Sequence, residues 1–280
     1  MKATIQYINS ELGGFYPVSE IEGFSRIIFE VICGLSFTEQ VTKKHEQISL
    51  SDFEKIKVII SRLKNFEPIQ YILGETEFYG LKIVVNPSVL IPRPETEELV
   101  QWILKSKFAE YSKILDIGTG SGCIVLAIKM ELKNAEVFGT DISEKALEVA
   151  RQNAIKNHLD VDFFQADILR WEESEWKTFD IIVSNPPYIR ESEKLLMHSN
   201  VLSYEPENAL FISDSDPLVF YRSIAAFAKR YLFENGLLFF EINENLGSEM
   251  YEMLIDSGFS EIEIRKDING KNRMICCRNI

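Results

Sequence analysis

The chain has 280 residues, 46% of them hydrophobic and 26% charged, a balance that excludes global disorder and suggests about two domains. Its 14 Gly and 4 Cys exclude collagen-like and disulfide-scaffold proteins. With 43 acidic and 30 basic side chains the formal charge is −13, which argues against a nucleic-acid substrate and suits a basic protein partner or a small ligand.

Residues 1–74 read as helical, with Ile21, Phe24, Ile27, Ile28, Val31, Ile32 and Leu35 recurring at helical spacing. Ser51-Asp52-Phe53-Glu54 reads as a capping box opening a helix that carries Phe53, Ile56, Ile59, Ile60 and Leu63 on one side. A short segment over 67–73, with Pro68 in its first turn, stops at Gly74. Residues 75–79 and 81–85 predict two strands around Gly80. Pro87, Pro92 and Pro94 then stiffen an extended connection over 87–94, where a domain boundary is placed.

From there strands and helices alternate. Strands are expected at 113–117, 136–140, 161–165, 179–184 and 237–242, and helices at 122–132, 143–157, 217–234 and 245–257. A closing pair of strands is expected near 259–266 and 273–278. Such alternation implies a parallel sheet covered on both faces. The cysteines at 33, 123, 276 and 277 form no CxxC and the histidines have no ligand spacing, so no metal is expected and a reducing compartment is. The N-terminus lacks a signal-peptide pattern, and the longest apolar run, 237–240, is too short to span a bilayer. A soluble cytoplasmic protein is expected.

Asp116-Ile117-Gly118-Thr119-Gly120-Ser121-Gly122 follows a predicted strand and opens a predicted helix. Glycines there let the backbone turn tightly and approach a ligand. Asp141, ending the next strand, is placed to accept hydrogen bonds from ribose hydroxyls. A dinucleotide site would want its third Gly at position 123, where Cys123 stands. The GxGxG form is instead similar to that of S-adenosylmethionine-dependent methyltransferases. In that setting Asp167 meets the adenine amino group and Trp171 walls the ring. Read alone, Asp167 is a helix N-cap and Trp171 a core residue.

Asn185-Pro186-Pro187-Tyr188 follows the strand 179–184, at the sheet edge where ligands bind. A planar amide or ring amino group is a poor nucleophile because its lone pair is delocalised. The carbonyls of Asn185 and Pro186 can each accept one N–H of such a group and turn its lone pair toward a methyl donor. Tyr188 can stack on the planar substrate and on its developing positive charge. Catalysis is then alignment plus two fixed acceptors, with no metal or covalent intermediate.

Together these segments resemble the release-factor glutamine N5-methyltransferases, the PrmC/HemK family. Further likeness lies in Glu67-Pro68-Ile69-Gln70-Tyr71-Ile72-Leu73-Gly74, in Phe78-Tyr79-Gly80, in Pro92-Arg93-Pro94-Glu95-Thr96-Glu97 and in Gly270-Lys271-Asn272-Arg273. The resemblance implies a class I methyltransferase fold: a Rossmann-like, mostly parallel sheet with a C-terminal antiparallel hairpin, plus a small N-terminal helical domain. The expected division is a substrate-recognition domain over 1–74, a β-hairpin and Pro-rich connection over 75–94, and a catalytic domain over 95–280. The implied substrate is the glutamine of the Gly-Gly-Gln motif in class 1 release factors, with S-adenosylhomocysteine as product. Gly118, Thr119, Gly120, Ser121, Gly122, Asp141, Asp167, Trp171 and Asn185 would contact the cofactor. Asn185, Pro186, Pro187 and Tyr188 would receive the glutamine, and Thr96 and Arg93 would line the cofactor's methionine end. A monomer without nucleic-acid or membrane partners is expected.

One departure stands at Glu241-Ile242-Asn243, where the family usually reads Glu-Ile-Gly. Asn is expected to keep the turn because it tolerates a left-handed backbone. Three rivals use the same residues. An amino-group nucleic-acid methyltransferase would want a basic cleft or a target-recognition domain. A silent cofactor-binding protein would have lost the Asn or the glycines. A small-molecule methyltransferase would leave the N-terminal region unexplained.

Overall fold

The computed structural model describes residues 1–106, 112–197 and 199–280. The chain forms two compact units, Met1–Gly74 with His198–Tyr204, and Glu75–Met197 with Glu205–Ile280.

The first unit holds α1 (Lys2–Leu12), α2 (Val18–Cys33), α3 (Phe37–Thr42), α4 (Leu50–Leu63) and α5 (Ile69–Leu73). Ile8, Leu12, Ile28, Phe29, Ile56 and Leu63 are in its buried core; of the expected stripe on α2, Ile21 and Ile28 are buried and Phe24, Ile27 and Ile32 pack against them, whereas Val31 is exposed. The cap of α4 is Ser49, two residues before the expected Ser51. Its hydroxyl oxygen accepts from Asp52 N at 3.0 Å, and the Asp52 carboxylate sits in the first turn where the helix dipole favours it. The capping box that does form is Ser36 with Glu39, at the start of α3. Pro68 is the N-cap of α5 and lies just before its first turn. Arg62 Nε donates to Glu67 Oε2 at 2.7 Å and its Nη1 to the Ile72 carbonyl at 3.2 Å, tying α4 to α5.

The second unit begins with the antiparallel pair β1 (Glu75–Phe78) and β2 (Leu81–Val84), then α6 (Pro94–Lys105). Sequence reading missed α6. Its signals were Pro94 at the first helical position, Glu95 and Glu97 in the first turn, and Leu99, Val100 and Ile103 on the buried side. The hairpin is part of this unit and not a separate connection. Asn153 is buried, accepts Val84 N at 2.6 Å, and donates to the carbonyls of Val84 and Ser121 at 3.0 and 2.9 Å.

The expected alternation follows as β3 (Lys113–Ile117), α7 (Cys123–Glu131), β4 (Glu136–Asp141), α8 (Glu144–Lys156), β5 (Asp162–Gln165) and β6 (Phe179–Ser184). A 3-10 turn over Ile168–Glu173 separates the last two strands. An excursion then carries β7 (Ile189–Arg190), a 3-10 turn over Glu191–Leu196, α9 (Ser199–Tyr204), α10 (Glu207–Leu210) and β8 (Phe211–Ile212). Of these, α9 belongs to the first unit, where the Tyr204 hydroxyl donates to the Asn65 carbonyl at 2.9 Å. The chain closes with α11 (Val219–Tyr231), β9 (Leu232–Glu241), α12 (Gly247–Asp256), β10 (Phe259–Lys266) and β11 (Asn272–Asn279).

Seven strands form one sheet in the order β10-β11-β9-β6-β3-β4-β5. The five from β9 to β5 are parallel, and β11 runs antiparallel to both β9 and β10. The order reverses between β3 and β6, so the loops leaving their carboxyl ends diverge there and open a crevice. Those loops begin at Gly118 and Asn185.

Candidate active site

At the end of β3 the chain turns over the neighbouring strand. Gly118 N and Thr119 N both donate to the Thr140 carbonyl, at 2.8 and 2.9 Å. Gly118 and Gly120 have φ of 76° and 54°, and a Cβ added at either would meet no atom within 4 Å. The space above them is therefore open, and the backbone lies bare against it. Gly122, with φ of 80°, serves another end: a Cβ there would lie 3.2 Å from Ala150 Cβ and 3.3 Å from the Phe163 ring. Asp141 Oδ2 accepts Gly120 N at 2.9 Å, and Oδ1 accepts Ser143 N at 2.9 Å. Burial raises the Asp141 carboxyl while these amides, with that of Ile142, pull it back.

The turn borders a cavity of about 320 Å³, within the range of small-molecule sites. Gly118, Thr119, Gly120, Ser121, Asp141 and Asp167 line it, and so do Asn185, Pro186, Pro187, Thr96 and Arg93. Gly122 supports the turn from behind. Asp167 lines the cavity and also caps the 3-10 turn, accepting Leu169 N at 2.9 Å. Ile142, Ile168 and Leu169 supply apolar wall that sequence reading did not single out. The signal for Ile142 was an apolar side chain directly after the strand-end Asp141.

Three expected contacts are corrected, the first being Gly122, which was expected to touch the cofactor but packs against Ala150 and Phe163 outside the cavity wall. Trp171 does not line the cavity. It is buried in the core, edge-on to Phe227 at 5.9 Å and to Tyr231 at 6.0 Å. The 3-10 turn points Ile168 and Leu169 to the cavity and sends Trp171 toward α11. Tyr188 is also absent from the wall. The ring packs against the core, and its hydroxyl donates inward to Glu241 Oε1 at 3.0 Å. Burial and the Glu241 charge push its phenol up, so it stays protonated and remains a donor.

Asn243 does not adopt a left-handed backbone. Its side chain is the working part: Nδ2 donates to the Tyr188 carbonyl at 3.2 Å and to Glu193 Oε2 at 3.0 Å, and Oδ1 accepts Asn245 N at 2.9 Å. The departure from glycine thus adds a tether to the segment following the tetrapeptide. Arg93 pairs with Glu205 at 2.6 Å, and Glu205 also accepts Ile91 N at 3.2 Å.

Two buried carboxyls escaped sequence reading as site residues. Asp116, on β3, has neither carboxyl oxygen hydrogen-bonded among the described residues. Burial pushes it up to about 7. The nearby Thr119 hydroxyl pulls the other way without closing a bond, and Asp141 adds to the rise. Glu241, ending β9, accepts from Thr96 Oγ1 at 2.7 Å and from Tyr188. Burial raises it, while those hydroxyls and Arg273 oppose the rise. Both stand at strand ends, and strand-end carboxylates in a parallel sheet were the available signal. Among the described residues no cluster of His, Cys, Asp and Glu could hold a metal ion, and no helix is long and apolar enough to cross a membrane.

Comparison with known proteins agrees with this layout. The model of the methyltransferase small domain matches residues 95–207, and that of the PrmC N-terminal domain matches residues 10–74. A release factor glutamine methyltransferase of Flavobacterium psychrophilum is 47% identical over 268 residues, covering 94% of each chain. One of Bacteroides thetaiotaomicron is 41% identical over 98% of this chain and 99% of its own. The hMettl16 catalytic domain, solved with an RNA hairpin, superposes with a TM-score of 0.59 at 17% identity, covering 76% of this chain and 82% of that one. A methyltransferase from Pyrococcus furiosus gives 0.54 at 21% identity, covering 72% and 91%. These two show the class I methyltransferase fold.

Proposed function

The chain belongs to the family of release factor glutamine methyltransferases, and on that premise we propose how its cavity performs the reaction. It is a methyltransferase acting on a release-factor glutamine, with S-adenosylmethionine as methyl donor and S-adenosylhomocysteine as product. The finer reading is that the acceptor is the side-chain N5 of the glutamine in the Gly-Gly-Gln motif of class 1 factors. The observation that carries it is the placement of Asn185 and Pro186 on the wall shared with the glycine turn, at the switch point of the sheet.

The cavity's residues fit the donor. Open space above Gly118 and Gly120 admits a ligand against bare backbone. Asp141 uses one lone pair of each oxygen on Gly120 and Ser143, which leaves the others for ribose hydroxyls. Asp116, Thr119 and Thr140 each hold buried side-chain oxygens with no partner among the described residues, an arrangement suited to a polar ligand. Asp167 offers an acceptor for an adenine amino group, between the apolar side chains of Ile142 and Ile168. When bound, the donor supplies an electrophilic methyl on a positively charged sulfur.

The chain's own work is alignment. The Asn185 and Pro186 carbonyls accept the two N–H bonds of the glutamine amide and withdraw its nitrogen from conjugation. As that nitrogen gains positive charge, both hydrogen bonds become charge-assisted, each contributing about 1.5–3 kcal/mol. Pro186 and Pro187 fix φ on either side, so the acceptors need no reorganisation. Tyr188 holds the end of the tetrapeptide through its inward hydroxyl. The enzyme acts in this reading as a cytoplasmic monomer on a protein, not on nucleic acid, with the helical unit recognising the rest of the factor.

The test is methyl transfer from labelled S-adenosylmethionine to a purified release factor and to a version lacking the Gly-Gly-Gln glutamine. Label on the first alone is the expected result. Label on both, or on neither, would remove the assigned acceptor.

A further inference from the structure

Three sequence segments converge on one buried carboxylate, that of Glu241. Thr96, from Pro-Arg-Pro-Glu-Thr-Glu, donates to Glu241 Oε2 at 2.7 Å. Tyr188, ending Asn-Pro-Pro-Tyr, donates to Oε1 at 3.0 Å. Arg273, from Gly-Lys-Asn-Arg, lies close enough to act electrostatically on both Tyr188 and Glu241, and its Nε is itself held by Asp267 at 3.1 Å. Glu241 is 1% exposed, and its backbone carbonyl accepts the hydroxyl of the fully buried Tyr221 at 3.0 Å.

We propose that Glu241 is a positioning residue for methyl transfer, acting through Tyr188 to set the geometry of Asn185 and Pro186. This rests on the reading of Asn185 and Pro186 as the glutamine-receiving acceptors. Tyr188 is gripped twice by one turn: its hydroxyl by Glu241, and its carbonyl by Asn243 Nδ2 at 3.2 Å. Two prolines separate it from Asn185, and each fixes one φ. Few soft dihedrals remain, so a tether on the fourth residue is transmitted to the first. The other oxygen of the same carboxylate holds Thr96, which lines the cavity. One side chain thus joins the helix that walls the donor to the tetrapeptide that receives the acceptor. A carboxylate serving only as core filling would be replaceable by a neutral group of its shape, because burying charge is costly in itself.

The experiment measures kcat, and KM for the release factor, in the unaltered enzyme, Glu241→Gln, Tyr188→Phe and the double variant. Thr96 and Tyr188 donate to different oxygens of Glu241, and a glutamine amide keeps only one of those two acceptors, putting an N–H group where the other stood. Each single variant is expected to lose about tenfold to hundredfold in kcat, the worth of a hydrogen bond to a charged group, with KM shifting less than about threefold. The double variant is expected to lose no more than the worse single, because both break one bond. Losses that multiply in the double variant would overturn the proposal. So would a Tyr188→Phe enzyme with unchanged kcat, or a loss confined to KM. Tyr188→Phe deletes one hydroxyl and decides the matter even where Glu241→Gln does not fold. Absence of methyl transfer by the unaltered enzyme would overturn the proposed function and this inference with it, whereas normal transfer with a silent Tyr188→Phe overturns this inference alone.

Discussion

Asp116→Asn isolates the energetic cost of the carboxyl beneath the glycine turn. Burial pushes Asp116 up to about 7 from an ordinary value of 3.8. The unfolded chain therefore ionises first. The stability associated with a neutral Asp116 is fully present below the unfolded value, falls as pH rises, and is gone once pH passes about 7. A rise from 3.8 to about 7 sets the full penalty on the order of 4 kcal/mol, more than half of which develops between about pH 5 and about pH 8. An asparagine side chain cannot ionise, so the variant should lack that slope, whatever fixed cost its unpartnered amide adds. The three tryptophans, Trp102, Trp171 and Trp176, all lie in the second unit, so their fluorescence in urea titrations reports that unit. The quantity to plot is the stability difference between variant and native enzyme at each pH, in which the other titrating groups cancel. The expected curve rises in favour of the Asp116→Asn variant with pH and flattens above about pH 7. A pH-independent difference would refute the argument that burial governs Asp116.

Asn185→Ala should keep the fold and cofactor affinity, measured by calorimetry, while methyl transfer to the release factor collapses; parallel loss of structure would contradict the acceptor role. Asp141→Ala should weaken cofactor binding by about tenfold or more, since each ribose hydrogen bond to a carboxylate contributes upward of about 1 kcal/mol. An unchanged Kd would refute the ribose assignment. Trp171→Leu should destabilise the second unit by about 2 kcal/mol and leave cofactor Kd within about twofold, as expected of a core residue. A large change in Kd with little change in stability would return Trp171 to the cofactor.

Local rules sufficed for much of the site. The glycine turn and Asp141 are adjacent because β3 and β4 are parallel neighbours, a pairing that the strand–helix–strand pattern already implies. The tetrapeptide reaches the same crevice because it leaves β6, on the other side of β3. Helix α6 was hidden by three prolines that read as extended chain, although the last of them is its first residue. Trp171 and Tyr188 were misread for a related reason: sequence places a side chain near a strand end but not on one side of a turn. That choice is made by tertiary packing. Phe227 and Tyr231 on α11 claim the tryptophan, and Glu241 on β9 claims the tyrosine hydroxyl. These partners lie more than fifty residues away in the chain for both, beyond any local pattern.

The three carboxyls at the strand ends differ in how far the chain satisfies them, and that difference separates their tasks. Burial raises all three. Glu241 has both oxygens engaged by side-chain hydroxyls and an arginine nearby, so it is complete within the protein and suits a fixed support. Asp141 spends one lone pair of each oxygen on a backbone amide, Gly120 in the glycine turn and Ser143 in its own, which locks its orientation and leaves acceptors pointing away from those amides. Among the described residues the Asp116 carboxyl has no hydrogen-bond partner. A buried carboxyl in that condition suits a partner from outside the polypeptide, and the nearby Thr119 hydroxyl offsets only part of the burial that favours its protonated form. A support, an oriented acceptor and an unsatisfied one therefore stand toward the carboxyl ends of β9, β4 and β3. The order in which the strands pair, not the order in which they occur in sequence, sets how those three strands flank the switch point of the sheet.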